Sequence, residues 1–157
     1  MAQSKDRKII LITGSTSGIG EATALALADD YDLILCGRRN LKLEKIKAEL
    51  SSICKIKTLC FDISDKKQVE NAYHSLTDDW KKIDVLINNA GNAHGLDFIQ
   101  DGDTNDWDNM IDINVKCLLY LSKHVLNDMV KLNKGHIINL GSIAGTEVYP
   151  KGNIYCA

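Results

Sequence analysis

The sequence is poor in proline and aromatic residues, and it has neither a long apolar run nor an excess of charge of one sign. One proline and 6% aromatic residues occur among 157 residues that are 45% hydrophobic, a globular composition that excludes a collagen-like repeat or a disordered tail. No apolar run approaches the roughly 20 residues that cross a bilayer, so we expect no membrane-spanning segment. The net charge of −2, with acidic and basic residues interleaved, argues against a nucleic-acid or membrane-surface binder.

Disulfide and metal-ligand patterns are also absent. The five cysteines are odd in number and show no Cys-x-x-Cys spacing, which excludes a disulfide scaffold and suits reduced thiols in the cytoplasm. The four histidines show no ligand spacing, so we predict no metal site. The start of the chain has no apolar stretch of its own that would indicate a secretory signal, and we expect a cytoplasmic protein.

What is present is a regular alternation of short apolar runs and amphipathic segments. Continuous apolar runs of this length are typical of strands buried on both faces of a parallel sheet. The predicted strands span residues 8–13, 32–36, 55–61, 83–87 and 135–140, and the predicted helices span residues 18–29, 41–50, 65–79 and 104–132. We therefore predict one α/β domain over residues 1–157, a Rossmann-type doubly wound parallel sheet with helices on both faces. An α+β domain is the alternative, but it needs hairpin turns, and none is visible.

A glycine-rich turn joins the first strand to the first helix, with the sequence TGSTSGIG at residues 13–20. Ligands bind at the carboxyl ends of the strands in such sheets, and glycines let the backbone approach a ligand closely. The free N–H groups at the start of a helix suit a diphosphate. The turn lacks the Gly-Lys-Ser/Thr of a P-loop, which disfavours nucleoside triphosphate hydrolysis. A plain tight turn is the alternative interpretation.

Two arginines and no carboxylate follow the second strand. A dinucleotide with a free ribose 2′-hydroxyl would need an acid at this point. Arg38 and Arg39 instead suit a 2′-phosphate, because guanidinium groups bind phosphate oxygens in a forked geometry. This favours NADP over NAD, and the hydroxyl of Ser15 could bind the same phosphate. Alternatively, the two arginines only solvate the next helix.

The ends of the third and fourth strands carry further candidate cofactor contacts. Asp62 could accept a hydrogen bond from the adenine amino group, or it could cap the following helix. Asn88, Ala90 and Gly91 place amide or small side chains beside the expected nicotinamide ribose. Asn88 and Asn89 could equally bind backbone groups at a buried strand end.

Ser142 and Tyr155 follow the fifth strand and are candidate catalytic side chains. Hydride transfer between a carbinol and a nicotinamide needs a group that takes or gives the alcohol proton. A tyrosine can do this when nearby positive charge lowers its pKa from about 10. The sequence thus indicates alcohol or carbonyl chemistry on a small molecule.

These segments together resemble the short-chain dehydrogenase/reductase family. The shared features are TGSTSGIG at 13–20, NNAG at 88–91, Asn114 in the long helix, Ser142 in LGSIAG, and Tyr155. The resemblance implies that Tyr155 is the general acid/base, that Ser142 hydrogen-bonds the substrate oxygen, and that Asn114 bends the long helix and holds a water in the proton relay. The cofactor contacts that it implies are Gly14, Ser15, Ser17, Gly18, Ile19, Gly20, Arg38, Arg39, Asp62, Ile63, Asn88, Ala90 and Gly91.

Within the family, the stretches GHIINLGSIAG, YPKGNIYCA and NNAGNAHGLD are most similar to NADP-dependent 3-hydroxy acid dehydrogenases, which include serine dehydrogenases. This implies a 3-hydroxy acid such as serine as substrate. The family's active site reads Tyr-x-x-x-Lys, and the lysine would fall two places beyond Ala157. We therefore expect the N-terminal part of a longer enzyme, without its C-terminal strands, and little or no turnover by these 157 residues alone.

The long helix carries a wide apolar stripe that includes Val115, Leu119, Val125, Leu126 and Met129. Core packing explains a stripe at this spacing. The extra width could mark a subunit interface, as the family's tetramers would imply.

Two other functions stay open. A non-catalytic NADP(H)-binding or regulatory module would explain the absent lysine, although it has no need of Ser142 or Tyr155. A flavin- or nucleoside-sugar-binding α/β protein is a more distant alternative.

Overall fold

The computed structural model describes residues 7–157 and contains five strands and six α-helices in that range. The strands are β1 (Ile9–Ile12), β2 (Asp32–Gly37), β3 (Ile56–Cys60), β4 (Ile83–Asn88) and β5 (His136–Asn139). The helices are α1 (Gly18–Leu27), α2 (Asn40–Leu50), α3 (Lys66–His74), α4 (Thr104–Ile111), α5 (Leu118–Leu132) and α6 (Asn153–Cys156). A π-helical segment (Asp112–Cys117) joins α4 to α5, and a 3-10 turn (Ile143–Gly145) follows β5.

The five strands form one parallel sheet in the order β3-β2-β1-β4-β5. The predicted α/β class and doubly wound parallel sheet are confirmed. Chain order reverses between β1 and β4, so a crevice opens at the carboxyl ends of these two strands. Ile12 pairs with Leu35 on one side and with Ile87 on the other. This register brings the segments that follow β1, β2 and β4 to the same edge of the sheet.

Helices cover both faces of the sheet because the strands alternate two sets of buried apolar side chains. On one face, Leu11 packs with Val69 of α3 and Val125 of α5. On the other face, Ile12 packs in a cluster that includes Leu43 of α2. All five side chains are almost fully buried. This two-sided core holds the carboxyl edge in place.

Helix α3 is shorter than the sequence pattern predicts. It begins after Asp65, whose carboxylate accepts hydrogen bonds from the N–H groups of Lys67 and Gln68, which confirms the predicted cap. It ends at His74 and not near residue 79: the N–H of Ser75 still bonds to the Asn71 carbonyl four residues back, but the N–H of Leu76 bonds to the Tyr73 carbonyl only three residues back. The predicted extent of this helix is therefore corrected at its C-terminal end.

The predicted break in the long helix near Asn114 is confirmed as the π-helical segment. A π segment has a wider turn than an α-helix and is frequent at functional sites. Here it contains Asn114, whose side chain bonds to the main chain of Asn92 in the loop after β4. The irregular turn therefore links the helix to the edge of the sheet.

Helix α5 presents two apolar faces and not the single stripe that the sequence predicts. Leu121, Val125 and Met129 are buried against the core. Leu119 and Leu126 are 58% and 46% exposed. Core packing therefore explains one face and leaves the other apolar and exposed. Within residues 7–157, no helix combines the length and the hydropathy that crossing a membrane requires.

Candidate functional site

A cleft of about 520 Å³ opens at the carboxyl edge of the sheet, within the size range of small-molecule sites. Segments that follow β1, β2, β3 and β4 form its walls, together with Ile113 of the π-helical segment. Nine predicted cofactor residues line it: Gly14, Ser17, Ile19, Arg38, Arg39, Asp62, Ile63, Ala90 and Gly91. Four others do not line it: Ser15, Gly18, Gly20 and Asn88.

The glycines of the turn after β1 allow close packing that a larger residue would prevent. Gly14 has a φ of 66°, and a Cβ there would lie 2.9 Å from Nδ2 of Asn89. A Cβ at Gly20 would collide with the carbonyl oxygen of Gly14. Gly18 has a φ of 57°, and a Cβ there would meet no atom within 4 Å. Gly14 and Gly20 therefore shape the turn, and Gly18 leaves open space at the start of α1.

The first turn of α1 has no side-chain cap. Ser17 occupies the N-cap position, but its hydroxyl accepts a hydrogen bond from Nη2 of Arg39 at 2.6 Å. In α3 and α4, by contrast, the carboxylates of Asp65 and Asp103 accept from first-turn N–H groups. The uncapped N–H groups and the positive dipole end of α1 therefore lie at the cleft, where they suit an anion such as a diphosphate.

The two arginines after β2 occupy different places at the cleft. Nε and Nη2 of Arg39 donate to the hydroxyl of Thr16 at 3.0 and 2.7 Å. Nη1 of Arg38 lies 3.6 Å from Oδ2 of Asp62, and the Arg38 side chain is 66% exposed. Each guanidinium carries five N–H donors. Donors therefore remain on both arginines for the oxygens of a phosphate.

Asp62 is held in place by its neighbours on the far wall of the cleft. Its Oδ1 accepts from the N–H and the hydroxyl of Ser64 at 2.9 and 2.7 Å. Partial burial raises the pKa of the Asp62 carboxyl, but the Ser64 hydrogen bonds and the nearby Arg38 outweigh it, so the net pKa lies below the ordinary value. The alternative of a helix cap at Asp62 is wrong, because Asp65 takes that position. Asp62 is thus an ionised acceptor at the cleft.

A threonine at the end of β1 ties the first and fourth strands together beneath the cleft. The hydroxyl of Thr13 accepts from the N–H groups of Asn89 and Ala90 at 3.0 and 2.9 Å. The amide Nδ2 of Asn89 donates to the Thr13 carbonyl at 2.8 Å. The alternative that Asn89 binds backbone groups at a buried strand end is confirmed. The floor of the cleft is therefore fixed by hydrogen bonds between β1 and β4.

Two predicted cofactor side chains face away from the cleft. Ser15 is fully buried, and its hydroxyl donates to the Cys36 carbonyl at 3.1 Å. The prediction that this hydroxyl contacts the 2′-phosphate is therefore corrected. Asn88 is 4% exposed, and its Nδ2 donates to Ser122 and Asn139, at 2.9 Å each. The expected place of its side chain beside the ribose is corrected for the same reason, since successive strand residues point to opposite faces.

Asn114 fixes the loop that follows β4. Its Oδ1 accepts from the N–H of Asn92 and its Nδ2 donates to the Asn92 carbonyl, both at 2.8 Å. The Oδ1 of Asn92 is buried and has no hydrogen-bond partner among the described residues. Because buried polar atoms are normally satisfied, this oxygen indicates a place for a donor from a ligand or water. A role of Asn114 toward a relay water stays a prediction.

Ser142 and Tyr155 do not belong to the residues that line the cleft. Ser142 caps the 3-10 turn, and its hydroxyl accepts from the N–H of Ala144 at 3.2 Å. Tyr155 is half-buried in α6, which packs against the 3-10 turn and α4. Asn153 of α6 donates to the carbonyl of Asp97 in the loop after β4. The two residues thus stand on neighbouring segments beyond β5, and their catalytic roles stay predictions.

The sequence prediction missed Thr16 and Asn92, which both line the cleft. Thr16 follows Ser15 directly, and the signal for it was a second hydroxyl in the glycine turn. Asn92 follows the NNAG segment directly, and an amide in that position was the only signal available. Each of the two missed residues is the direct neighbour of a residue that the sequence predicts as a cofactor contact.

Cys36 also lines the cleft, but its thiol packs within the wall of the cleft and is not a reactive group. It is buried, and burial raises the pKa of its thiol, which disfavours the thiolate. Across residues 7–157, no group of three or more potential metal-ligating side chains lies together.

Comparison with known proteins shows which family the chain resembles. The family model described as short chain dehydrogenase matches residues 8–157. The NADP-dependent 3-hydroxy acid dehydrogenase YdfG of Escherichia coli (strain K12) is 41% identical over 150 residues, which are 95% of this chain and 60% of that protein. Sulfoacetaldehyde reductase 2 of Chromohalobacter salexigens is 40% identical over 151 residues, with the same two shares. The chain thus spans about 60% of the length of these curated relatives.

Solved structures give the same result. Serine dehydrogenase from Escherichia coli superposes with a TM-score of 0.86 at 39% identity, covering 94% of this chain and 68% of that one. The closed form of serine dehydrogenase complexed with NADP+ has a TM-score of 0.87 at 40% identity, covering 94% of this chain and 59% of that one. Because the family match extends over residues 8–157, the chain belongs to the short-chain dehydrogenase family.

Proposed function

We propose that the protein is an NADP-dependent oxidoreductase that transfers a hydride between the nicotinamide cofactor and an alcohol or carbonyl substrate. The observation that carries the proposal is the continuity of the cleft, which joins the uncapped start of α1 to Arg38 and Arg39. A diphosphate and a 2′-phosphate are both anions, and the cleft offers donors for each. Relatives that are named for NADP support the same cofactor.

The residues present fit the phosphate and adenosine parts of NADP. The open space at Gly18 admits a group at the first turn of α1, where uncapped N–H groups would hold the diphosphate. Arg38 and Arg39 would hold the 2′-phosphate. Asp62 and Ile63 would flank the adenine. All of these residues except Gly18 line the cleft.

The loop after β4 fits the nicotinamide half. Ala90 and Gly91 line the cleft with side chains that leave room for a ribose, and the unpartnered Oδ1 of Asn92 is an acceptor for one of its hydroxyls. When NADP is bound, its nicotinamide ring supplies the hydride acceptor, and NADPH supplies the donor. Asn114 would position Asn92 for this contact.

Ser142 and Tyr155 are the proposed groups for substrate binding and proton transfer. The Ser142 hydroxyl accepts from Ala144, which leaves its own proton to donate to the substrate oxygen. The Tyr155 hydroxyl has no hydrogen-bond partner within residues 7–157, so it is available to take or give the alcohol proton. For the substrate we propose a 3-hydroxy acid such as serine, which the names of the relatives support.

We also propose a cytoplasmic homo-oligomer, with a tetramer as the form that the family resemblance implies. Val115, Leu119, Leu126 and Val130 give the π-helical segment and α5 an exposed apolar face. Contiguous exposed apolar surface is typical of protein interfaces. The five cysteines are all free thiols, which suits a reducing compartment.

A non-catalytic NADP(H)-binding module is the second candidate. The observation that favours it is the position of Ser142 and Tyr155 outside the lining of the cleft. Such a module would bind the nucleotide without turnover.

The test uses the complete translation product of the gene, with NADP and serine, 3-hydroxy acids or simple alcohols, and with NADPH and ketones. We expect NADP-dependent turnover that Tyr155→Phe abolishes while NADP affinity stays unchanged. NADP binding with no turnover of any substrate supports the binding module. Absence of NADP binding contradicts both candidates.

A further inference from the structure

Two histidines meet between α3 and α5, outside the nucleotide cleft. The ring centres of His74 and His124 lie 5.4 Å apart, with an angle of 80° between the ring planes. Tyr73 stacks on His124 with ring centres 5.3 Å apart. His74 is exposed and His124 is half-buried, so solvent ions can reach the pair.

Tyr73 fixes the orientation of His124. Its ring is almost fully buried, and its hydroxyl donates to Oδ2 of Asp128 at 2.5 Å. Asp128 also accepts from Lys131 at 2.8 Å. A rigid platform of this kind lowers the entropy that a side chain loses when it binds a ligand.

The ring nitrogens of both histidines are available. Neither the His74 nor the His124 side chain forms a hydrogen bond or an ion pair within residues 7–157. Glu70 stands one helical turn before His74 on α3, and its carboxylate adds negative charge near His124.

The spacing of the rings matches a shared metal ion. Imidazole nitrogens bind zinc at about 2.0–2.1 Å, so two imidazoles on one tetrahedral ion have ring centres roughly 5 Å apart. We propose that His74 and His124 together bind one divalent transition-metal ion, with water completing the coordination, and that the ion links α3 to α5. Imidazole ligands favour Zn²⁺, Ni²⁺ or Cu²⁺, whereas Mg²⁺ and Ca²⁺ prefer oxygen.

Such an ion binds only the folded chain, because the two histidines are 50 positions apart in the sequence and meet through helix packing. Metal binding should therefore raise the thermal stability of the chain. The site does not involve the nucleotide cleft, so its success or failure is independent of the proposed function.

The experiment is a calorimetric titration of NiCl₂ into the tag-free chain with Cys60→Ser, which removes an exposed thiol. We expect one site per chain. His74→Gln and His124→Gln should each weaken binding by roughly tenfold or more, because either change removes the intramolecular second contact. The matched control is His136→Gln, which removes an exposed histidine on β5 and should leave the affinity unchanged. Nickel should raise the Tm of the parent chain but not of His74→Gln.

His74 is exposed, so its replacement should not unfold the chain, and circular dichroism of each variant checks this. The proposed metal site is refuted if the parent chain binds no nickel, or if His74→Gln binds nickel as tightly as the parent. It is also refuted if His136→Gln weakens binding as much as His74→Gln does.

Discussion

The proposed nucleotide end and the proposed catalytic end of the sheet edge differ in how firmly their residues are held. At the nucleotide end, Thr13 and Ser15 are 1% and 0% exposed, and their hydroxyls bond to the main chain of adjacent strands. Beyond β5, Ile143 and Val148 are 68% and 75% exposed. Within these 157 residues, which span about 60% of the length of the relatives, the first region is built into the core of the sheet and the second lies on its surface.

The comparison shows that the two halves of the proposed reaction depend on different parts of the fold. The proposed nucleotide contacts depend on strand register and on a turn that packs against β4. The candidate catalytic residues depend on loops and on the four-residue helix α6. Changes at the nucleotide end should therefore affect both stability and binding, whereas matched changes beyond β5 should affect neither strongly.

The largest effect is expected from Gly20→Ala. The new Cβ would collide with the Gly14 carbonyl and lie 2.5 Å from Nδ2 of Asn89, and overpacking of this kind costs about 2–3 kcal/mol. NADP affinity should fall as well, because the turn would shift. Gly141→Ala, where a Cβ meets no atom within 4 Å, should change the free energy of unfolding by less than about 0.5 kcal/mol. Urea unfolding measures both, and equal losses would contradict the comparison.

The second largest effect is a loss of NADP affinity when Arg38 or Arg39 is replaced. Removal of a charged hydrogen-bond donor costs about 1.5–3 kcal/mol, so Arg38→Ala and Arg39→Ala should each weaken NADP binding by about 10–100-fold. NAD binding should change little. Lys42→Ala removes an exposed charge on α2 outside the cleft and is the control in fluorescence titrations. A parallel loss of NAD affinity in the arginine variants would show that they damage the fold and not the phosphate contact.

A smaller effect is expected from Asn114→Ala, at the junction between the two ends. The change removes both hydrogen bonds to Asn92, which should cost about 1–2 kcal/mol of stability. NADP affinity should fall while that for 2′,5′-ADP, which lacks the nicotinamide half, stays unchanged. Asn127→Ala on the exposed side of α5 is the control. Equal losses for both ligands would mean that Asn114 supports the whole cleft.

The smallest effect is the pH dependence of the stability that the ionised Asp62 carboxylate contributes. Partial burial raises the pKa of the Asp62 carboxyl, but the Ser64 hydrogen bonds and Arg38 together hold the folded pKa below its ordinary value. Its ionised form therefore stabilises the fold above the unfolded pKa of about 3.9, and this is lost as the pH falls through the folded value. The stability difference between wild type and Asp62→Asn should be constant from about pH 7 to 5 and shrink below about pH 4. A difference that stays unchanged below about pH 4 would contradict this role of Asp62.

The sequence was sufficient where the signal is local and repeated. Continuous apolar runs predicted all five strands, and a glycine turn between a strand and a helix predicted the position of the cleft. Arg38 and Arg39 were found because they follow β2 directly, and the carboxyl ends of parallel strands meet at one edge. These features need no knowledge of distant contacts.

The sequence was insufficient where two adjacent residues compete for one role. Ser15 and Thr16 both carry hydroxyls, but Ser15 is buried against Cys36 while Thr16 faces Arg39. Asn88 and Asn89 are both amides, and only Asn89 lines the cleft. The side that each residue faces depends on the exact end of the strand, which a pattern of apolar residues locates only to within a residue or two.

The most direct test of the account is a calorimetric titration of the 157-residue chain with NADP and with NAD under identical salt conditions. We predict one site per chain, with NADP bound at least about tenfold more tightly than NAD, and a preference that disappears when Arg38 and Arg39 are both replaced by alanine. Equal affinities for the two nucleotides, or no binding of either, would contradict it.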